Sequence, residues 1–253
     1  MMRSSNPVFR RDFGSYGYPQ PGGFATVTPG VMTIEGTATK AGILLLIASV
    51  VGVFAAAAVF ITNNITLFLG LTIIGLIGGL VAAIVTIWKK HLAFITAPIY
   101  AAFEGLVLGA ISIVFEIVYP GIVLQAIVLT FLVFAGVLAA YKTRLLRATP
   151  GFVKGIVAAT GAIMVLYLIG LMLTLFGVPV IYLHGNGPIA IGFSLFVCAI
   201  AALNFVLDFD FIERGATQGA PKWLEWYGAF GLMVTLVWLY LEILRLLSKL
   251  RSN

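Results

Sequence analysis

The sequence predicts an all-α fold, a bundle of seven membrane-spanning helices. Of its 253 residues, 61% are hydrophobic and only 9% are charged, whereas soluble domains average about 45–50% apolar and about 25% charged residues. Seven apolar runs are each long enough to cross about 30 Å of hydrocarbon, which takes roughly 20 residues. Backbone polar groups in lipid must be satisfied internally, so these runs are expected to be helices. They lie at 41–63, 66–88, 92–117, 121–141, 153–177, 187–207 and 223–247.

The chain divides into two parts by composition. Residues 1–40 are rich in Ser, Gly, Pro and Arg and contain too little apolar surface to fold alone, so we expect a disordered cytoplasmic tail. No apolar core of the kind that marks a signal peptide follows within the usual span. Residues 41–250 form the predicted membrane domain, which leaves no water-soluble region of comparable size.

The positions of lysine and arginine predict a cytoplasmic N-terminus. With seven full spans, twelve of the fifteen basic residues lie on the side of the N-terminus, and the three loops on the other side hold none, as the positive-inside rule requires. The rule also accounts for the net charge of +6, so this charge does not indicate a nucleic-acid partner. Arg245, Lys249 and Arg251 then lie outside. A re-entrant last run would place them inside, but that run is long and contains no proline.

Ionisable residues inside the apolar runs are the candidate functional residues, because each costs at least about 2.5–3.5 kcal/mol at the bilayer centre. Glu104 lies roughly 18 Å into the third run at 1.5 Å per residue, with no basic residue within one helical turn. A role in ion or proton passage is favoured there over a protonated Glu bonded to a neighbouring helix. Glu242 lies near the outer end of the last run, where Arg245 has the spacing for a local ion pair.

Four carboxylates gather where the sixth and seventh runs meet, in the stretch FVLDFDFIERGATQGAPKWLEWYGAF. Asp208 ends the sixth run and Glu225 begins the seventh, so an antiparallel hairpin would place both at a similar depth, just under the cytoplasmic surface. Two carboxylates in close contact cannot both stay ionised cheaply, so such a pair can share a proton or bind a cation. Asp210 cannot face the same way as Asp208 on a helix. We expect Asp208 to point inward, and Asp210 and Glu213 to form a solvated helix end.

Three short motifs resemble the Bax inhibitor/YccA-type family of multi-pass membrane proteins. FVLDFDFIERGA, with Asp208 and Ile212, resembles the end of that family's sixth helix. APIYAAFEGLVLGAIS, with Glu104 before Gly105, resembles its third helix, and LYLEILRLL resembles its last helix. The resemblance covers the chain from about residue 41 onward.

This resemblance implies a seven-helix bundle with the last helix at its centre, in a bacterial plasma membrane. Bacterial members are similar to proton-sensitive calcium leak channels, and their eukaryotic relatives are associated with calcium release and protection from cell death. An Asp on helix six pairs there with an Asp on helix seven as a proton-sensitive gate. Asp208 matches the first of these. For the second, the motif LYLE selects Glu242, the distance from the chain end selects Thr235, and the depth argument selects Glu225.

Two classes of function follow from these observations. The first is a pH-sensitive cation (calcium) leak channel, with Asp208, Glu104, Glu225, Glu242 and Asp210 along the ion or proton path and calcium bound transiently at Asp208. The alternative is a membrane protein that regulates proteases, stress or cell-death responses through other membrane proteins, without conducting ions. No enzyme motif is present in the sequence, and no cofactor is expected. The single cysteine, Cys198, is expected to be a core residue, and His91 and His184 lie on opposite sides of the membrane and cannot share a metal.

Overall fold

Seven long helices make up the described part of the chain. The computed structural model describes residues 30–177, 185 and 187–252, so the predicted tail up to residue 29 and His184 lie outside the described residues. All seven helices are long and apolar enough to cross a membrane, which confirms the predicted fold class. They are α1 (Ile34–Thr62), α2 (Ile65–Trp88), α3 (Ala93–Val118), α4 (Ile122–Lys142), α5 (Pro150–Leu175), α6 (Pro188–Thr217) and α7 (Leu224–Arg251), with a 3₁₀ turn at Lys90–Leu92 before α3.

The first helix begins earlier than the apolar pattern predicts. It starts at Ile34, inside the segment interpreted as tail, because the Thr33 side chain caps it by accepting a hydrogen bond from the Gly36 amide at 2.9 Å. Such capping satisfies an amide that has no partner within the helix. Just before it, the Met32 amide donates to the Ala220 carbonyl at 2.7 Å. The start of α1 is therefore attached to the turn between α6 and α7.

The last helix lies at the centre of the bundle. It packs against α1, α3, α4 and α6, and 56% of its most apolar stretch is buried, compared with 17–39% in the other six helices. This confirms the central position that the resemblance implied. Buried residues of α7 such as Met233, Leu239 and Leu244 join the main core of the molecule.

α7 runs through the full length of the bundle. Beside its first residue, the Lys222 amide donates to the Gly30 carbonyl at 2.8 Å. At its last residue, the Arg251 guanidinium donates to the Pro120 carbonyl at 2.8 Å in the α3–α4 turn and to Gln125 Oε1 at 2.9 Å. The two ends of the helix therefore lie at opposite ends of the bundle, which we call the Gly30 end and the Pro120 end. This geometry fits a full span and not a re-entrant hairpin.

Glycines allow α3 to approach its two neighbours closely. A Cβ atom on Gly109 would overlap the backbone carbonyl of Gly52, where α1 and α3 cross. On α2, a Cβ at Gly75 would lie 2.8 Å from the Phe103 carbonyl oxygen. Small residues permit such close backbone approach in membrane helix pairs, and Gly75 permits it between α2 and α3.

Candidate functional site

Asp208 forms a side-chain pair with Thr235 across the α6–α7 interface. Its Oδ2 accepts a hydrogen bond from Thr235 Oγ1 at 2.7 Å, and its Oδ1 lies 3.6 Å from the position of a Cβ on Gly231. Asp208 is partly buried, and its near neighbours along α6, Val206 and Phe209, are buried. Glycine at 231 leaves room for the carboxylate beside the α7 backbone, one turn before its hydroxyl partner.

Glu225 does not pair with Asp208, so the prediction from depth is wrong. α6 continues to Thr217, four residues beyond its expected end, which places Asp208 roughly 14 Å from the end of that helix. Glu225 instead occupies the first turn of α7. Thr235, eleven residues into α7, lies roughly 16 Å from the start of the helix, at the depth of Asp208. Of the three alternatives from the sequence, the structure therefore selects Thr235.

Glu225 is part of a buried polar cluster that joins the first helix to the last, which we call the Glu225 cluster. Its side chain is 1% exposed and forms an ion pair with Lys40 of α1. Oε1 accepts two further hydrogen bonds, from the amide and the hydroxyl of Thr33, each at 2.9 Å. The carboxylate is thus held by one cation and two neutral donors, an arrangement suited to anchoring helices together.

Glu242 forms the local ion pair that its spacing predicts. Arg245 Nη1 lies 2.9 Å from Oε1 and 3.1 Å from Oε2 of Glu242. The Tyr167 hydroxyl of α5 donates to the same carboxylate at 2.8 Å, and the guanidinium lies 5.2 Å from the Tyr167 ring centroid. Glu242 is 2% exposed, so it is buried inside the bundle and paired, and it does not contact Asp208.

Glu104 lies on α3 beside a second hydroxyl group. Its carboxylate interacts with the Tyr100 hydroxyl one turn earlier on the same helix, and Oε2 lies 3.5 Å from the position of a Cβ on Gly79 of α2. Tyr100 in turn packs edge-to-face on Phe230 of α7, with ring centroids 5.0 Å apart. Because Phe230 precedes Gly231, an aromatic pair lies between the surroundings of Glu104 and those of Asp208.

The remaining acids of the α6 end form ion pairs near the surface of the bundle. Asp210 Oδ2 lies 2.8 Å from Arg214 Nε, one turn later on α6. Glu213 pairs with Arg144 at 3.0 Å and accepts a hydrogen bond from the Tyr141 hydroxyl. Asp210 is 24% exposed and Arg214 is 62% exposed, which agrees with the expectation that Asp210 faces away from Asp208.

The structure does not bring the five predicted site residues into one cluster. Among the residues it describes, no three His, Cys, Asp or Glu side chains converge to hold a metal ion. A calcium ion at Asp208 would have that carboxylate and the neighbouring Thr235 hydroxyl beside it, and it would need further oxygen ligands to reach the six to eight that calcium takes.

Sequence reasoning missed three polar residues that hold the bundle together. Thr33 and Tyr167 complete the sites of Glu225 and Glu242. Lys249, which is 4% exposed, donates to Ser194 Oγ at 2.9 Å and to the Ala190 carbonyl at 3.2 Å. In the sequence, only the residue type could have indicated these contacts, because a buried hydroxyl or ammonium group requires a hydrogen-bonding partner.

The model of a protein family described as Bax inhibitor 1 like matches residues 6–252. This match spans nearly the whole chain and begins well before the first helix, whereas the three motifs supported a resemblance from about residue 41. Comparison of the sequence with curated proteins gives no match.

Proposed function

Because the chain belongs to the Bax inhibitor 1 like family, we propose that this membrane protein is a pH-sensitive cation leak channel that passes calcium, with Asp208 as its gating carboxylate. The observation that carries the proposal is the hydrogen bond between Asp208 and Thr235, which gives this intramembrane acid a hydroxyl partner. A neutral partner leaves the charge of the carboxylate uncompensated.

The contrast with the other acids supports this choice. Glu225, Glu242, Asp210 and Glu213 each form an ion pair with a Lys or Arg, as expected of charges that have a structural role. Among the described ion pairs, none involves Asp208 or Glu104. An acid at membrane depth without a cation is expensive, and it can take up a proton or a passing cation without first releasing a built-in one.

The proposed path runs along α7 between Asp208 and Glu104. It passes Gly231, which offers no side chain, and Phe230, which packs on Tyr100. This aromatic contact closes the path in the present arrangement. Opening requires α3 and α7 to separate at the Tyr100–Phe230 contact. A change in the charge of Asp208 would alter its hydrogen bond to Thr235, which lies on α7.

Calcium flux into liposomes that contain the purified protein tests the proposal. Flux is measured with an entrapped calcium dye at several pH values for the native chain, for Asp208→Asn and for Glu104→Gln. We expect Asp208→Asn to remove the pH dependence and Glu104→Gln to lower the flux. Asp210→Asn is the matched control on the same helix and should behave as the native chain does. Native flux in both test variants would contradict the channel proposal.

The rival function is a non-conducting regulator of proteases, stress or cell-death responses. The observation that favours it is the lack, within the described residues, of a cluster able to hold a metal ion. A regulator needs exposed surfaces to bind other membrane proteins but no wettable path. Folded protein that passes no calcium at any pH would favour the regulator.

We further propose that the Gly30 end of the bundle faces the cytoplasm of a bacterial cell. The support is the concentration of Lys and Arg in the segments assigned to that end. Lys222 is exposed in the α6–α7 turn. A Lys222→Cys variant on a Cys198→Ala background should resist a membrane-impermeant maleimide in intact cells and react after lysis. Reaction in intact cells would reverse the orientation.

A further inference from the structure

A cavity of about 280 Å³ lies inside the bundle, and none of the carboxylates discussed above lines it. Four helices line it, namely α1, α3, α4 and α7. On the side of α7 its wall is formed by Leu236 and Val237, which are 5% and 7% exposed. The cavity therefore reaches from the outer helices to the central one.

The cavity opens between α1 and α4. α1 packs mainly on α3 and α7, and α4 on α6 and α7, but α1 and α4 share no extensive contact with each other. At the rim, Val53 of α1 is 67% exposed and Phe131 of α4 is 50% exposed. Both helices are membrane spans, so hydrocarbon chains of the bilayer lie directly outside this opening.

The walls of the cavity favour an apolar occupant. The residues that line it include no Asp, Glu, Lys, Arg or His. Three of the four hydroxyls along the wall are already bonded: Ser112 and Tyr240 lie 2.6 Å apart, and Thr130 donates to its own helix backbone at 2.7 Å. A buried water needs two to four polar partners, and apolar cavities of about 150 Å³ stay dry and accept a molecule the size of benzene.

We propose that this cavity binds the acyl chain of a membrane lipid, which enters from the bilayer between α1 and α4. The volume exceeds that of a benzene-sized site, the opening meets hydrocarbon, and the wall offers few groups to water. The bound chain reaches α7, where Leu236 directly follows Thr235. This site contains no ionisable lining residue other than Tyr240 and does not depend on ion conduction.

Photolabelling in nanodiscs tests the proposal. The nanodiscs contain phosphatidylcholine with a diazirine near the end of one acyl chain, and mass spectrometry locates the labelled residues. We expect labelling at Leu236 and Val237, which lipid on the outer surface cannot reach, and we expect excess unlabelled lipid to compete with it. Ala56→Phe, which fills the cavity from α1, should abolish this labelling. Ala57→Phe, at the next, exposed position, should preserve it.

A second variant, Ile127→Trp, narrows the cavity from α4 and should also abolish the labelling if Ala56→Phe fails to fold. Labelling that is confined to rim residues such as Val53 and Phe131 would overturn the proposal, since it would show only the lipid that surrounds every span. Unchanged labelling of Val237 in both filled variants would overturn it as well. A separate experiment tests for a second copy: disulfide-linked dimers of a Val53→Cys variant on a Cys198→Ala background would assign the opening to a second copy instead.

Discussion

Replacing Lys40 with methionine is expected to destabilise the bundle strongly, because it leaves the buried Glu225 carboxylate without its cation. Glu225 is 1% exposed and the Lys40 side chain is 16% exposed, so bulk water compensates little of the lost charge. Methionine keeps the length and apolar stem of lysine. The change therefore removes the ammonium group and leaves the packing of the stem largely in place.

The size of the effect follows from what remains bonded. Breaking a buried ion pair by removing one partner costs roughly 3–5 kcal/mol. Thr33 still donates two hydrogen bonds to Oε1, so we expect the lower end, about 3 kcal/mol. At about 2–4 °C per kcal/mol for a chain of this size, the melting temperature should fall by roughly 6–12 °C.

Thermal unfolding in a mild detergent measures the loss, and Lys89→Met is the matched control. Lys89 is exposed and lies just after α2, at the same end of the bundle, so its replacement should leave the melting temperature nearly unchanged. The double variant Lys40→Met/Glu225→Gln should lose less stability than the sum of the losses measured for the two single variants. If Lys40→Met melts within 1–2 °C, or about 0.5 kcal/mol, of Lys89→Met, the Glu225 cluster does not stabilise the fold as argued.

Two further changes test the helix contacts by the same measurement. Gly109→Ala should lower the free energy of unfolding by roughly 1–3 kcal/mol, because its Cβ would overlap the Gly52 carbonyl. The control Gly136→Ala, with no atom near its Cβ, should raise that free energy by about 0.5–1 kcal/mol. Equal losses at the two positions would contradict the close crossing of α1 and α3. Thr235→Val removes the donor to Asp208 and should lower the free energy of unfolding by roughly 1–3 kcal/mol, whereas Thr235→Ser keeps the hydroxyl and should retain most of the stability. A Val variant as stable as the Ser variant would show that the hydrogen bond contributes nothing to stability.

The sequence predicted the spans well because hydropathy reports the length that a helix must cover in lipid. All seven apolar runs correspond to helices, and the prediction failed mainly at their ends. α1 starts at Ile34 and α6 extends to Thr217, since polar caps and charged final turns continue a helix beyond its apolar part. Hydropathy carries no information about those turns.

The candidate site was harder to predict because it depends on small shifts along helices. The four-residue extension of α6 past Glu213 moves Asp208 roughly 6 Å further from the α6–α7 turn, away from the level of Glu225 and toward that of Thr235, with which it pairs. The pair of Glu242 and Arg245 was predictable because both residues lie on one helix at a fixed spacing. Contacts between helices, such as that of Tyr167 with Glu242, depend on rotation and packing that the pattern of one segment does not contain.

The contact between Thr33, Lys40 and Glu225 joins residues that are 192 and 185 positions apart in the chain. The ribosome therefore completes α1 long before the carboxylate that neutralises Lys40 has been made. Until translation reaches α7, the ammonium group near the start of the first span has no acidic partner from the last one. This contact between the two ends of the membrane domain can therefore form only after the last span has been made.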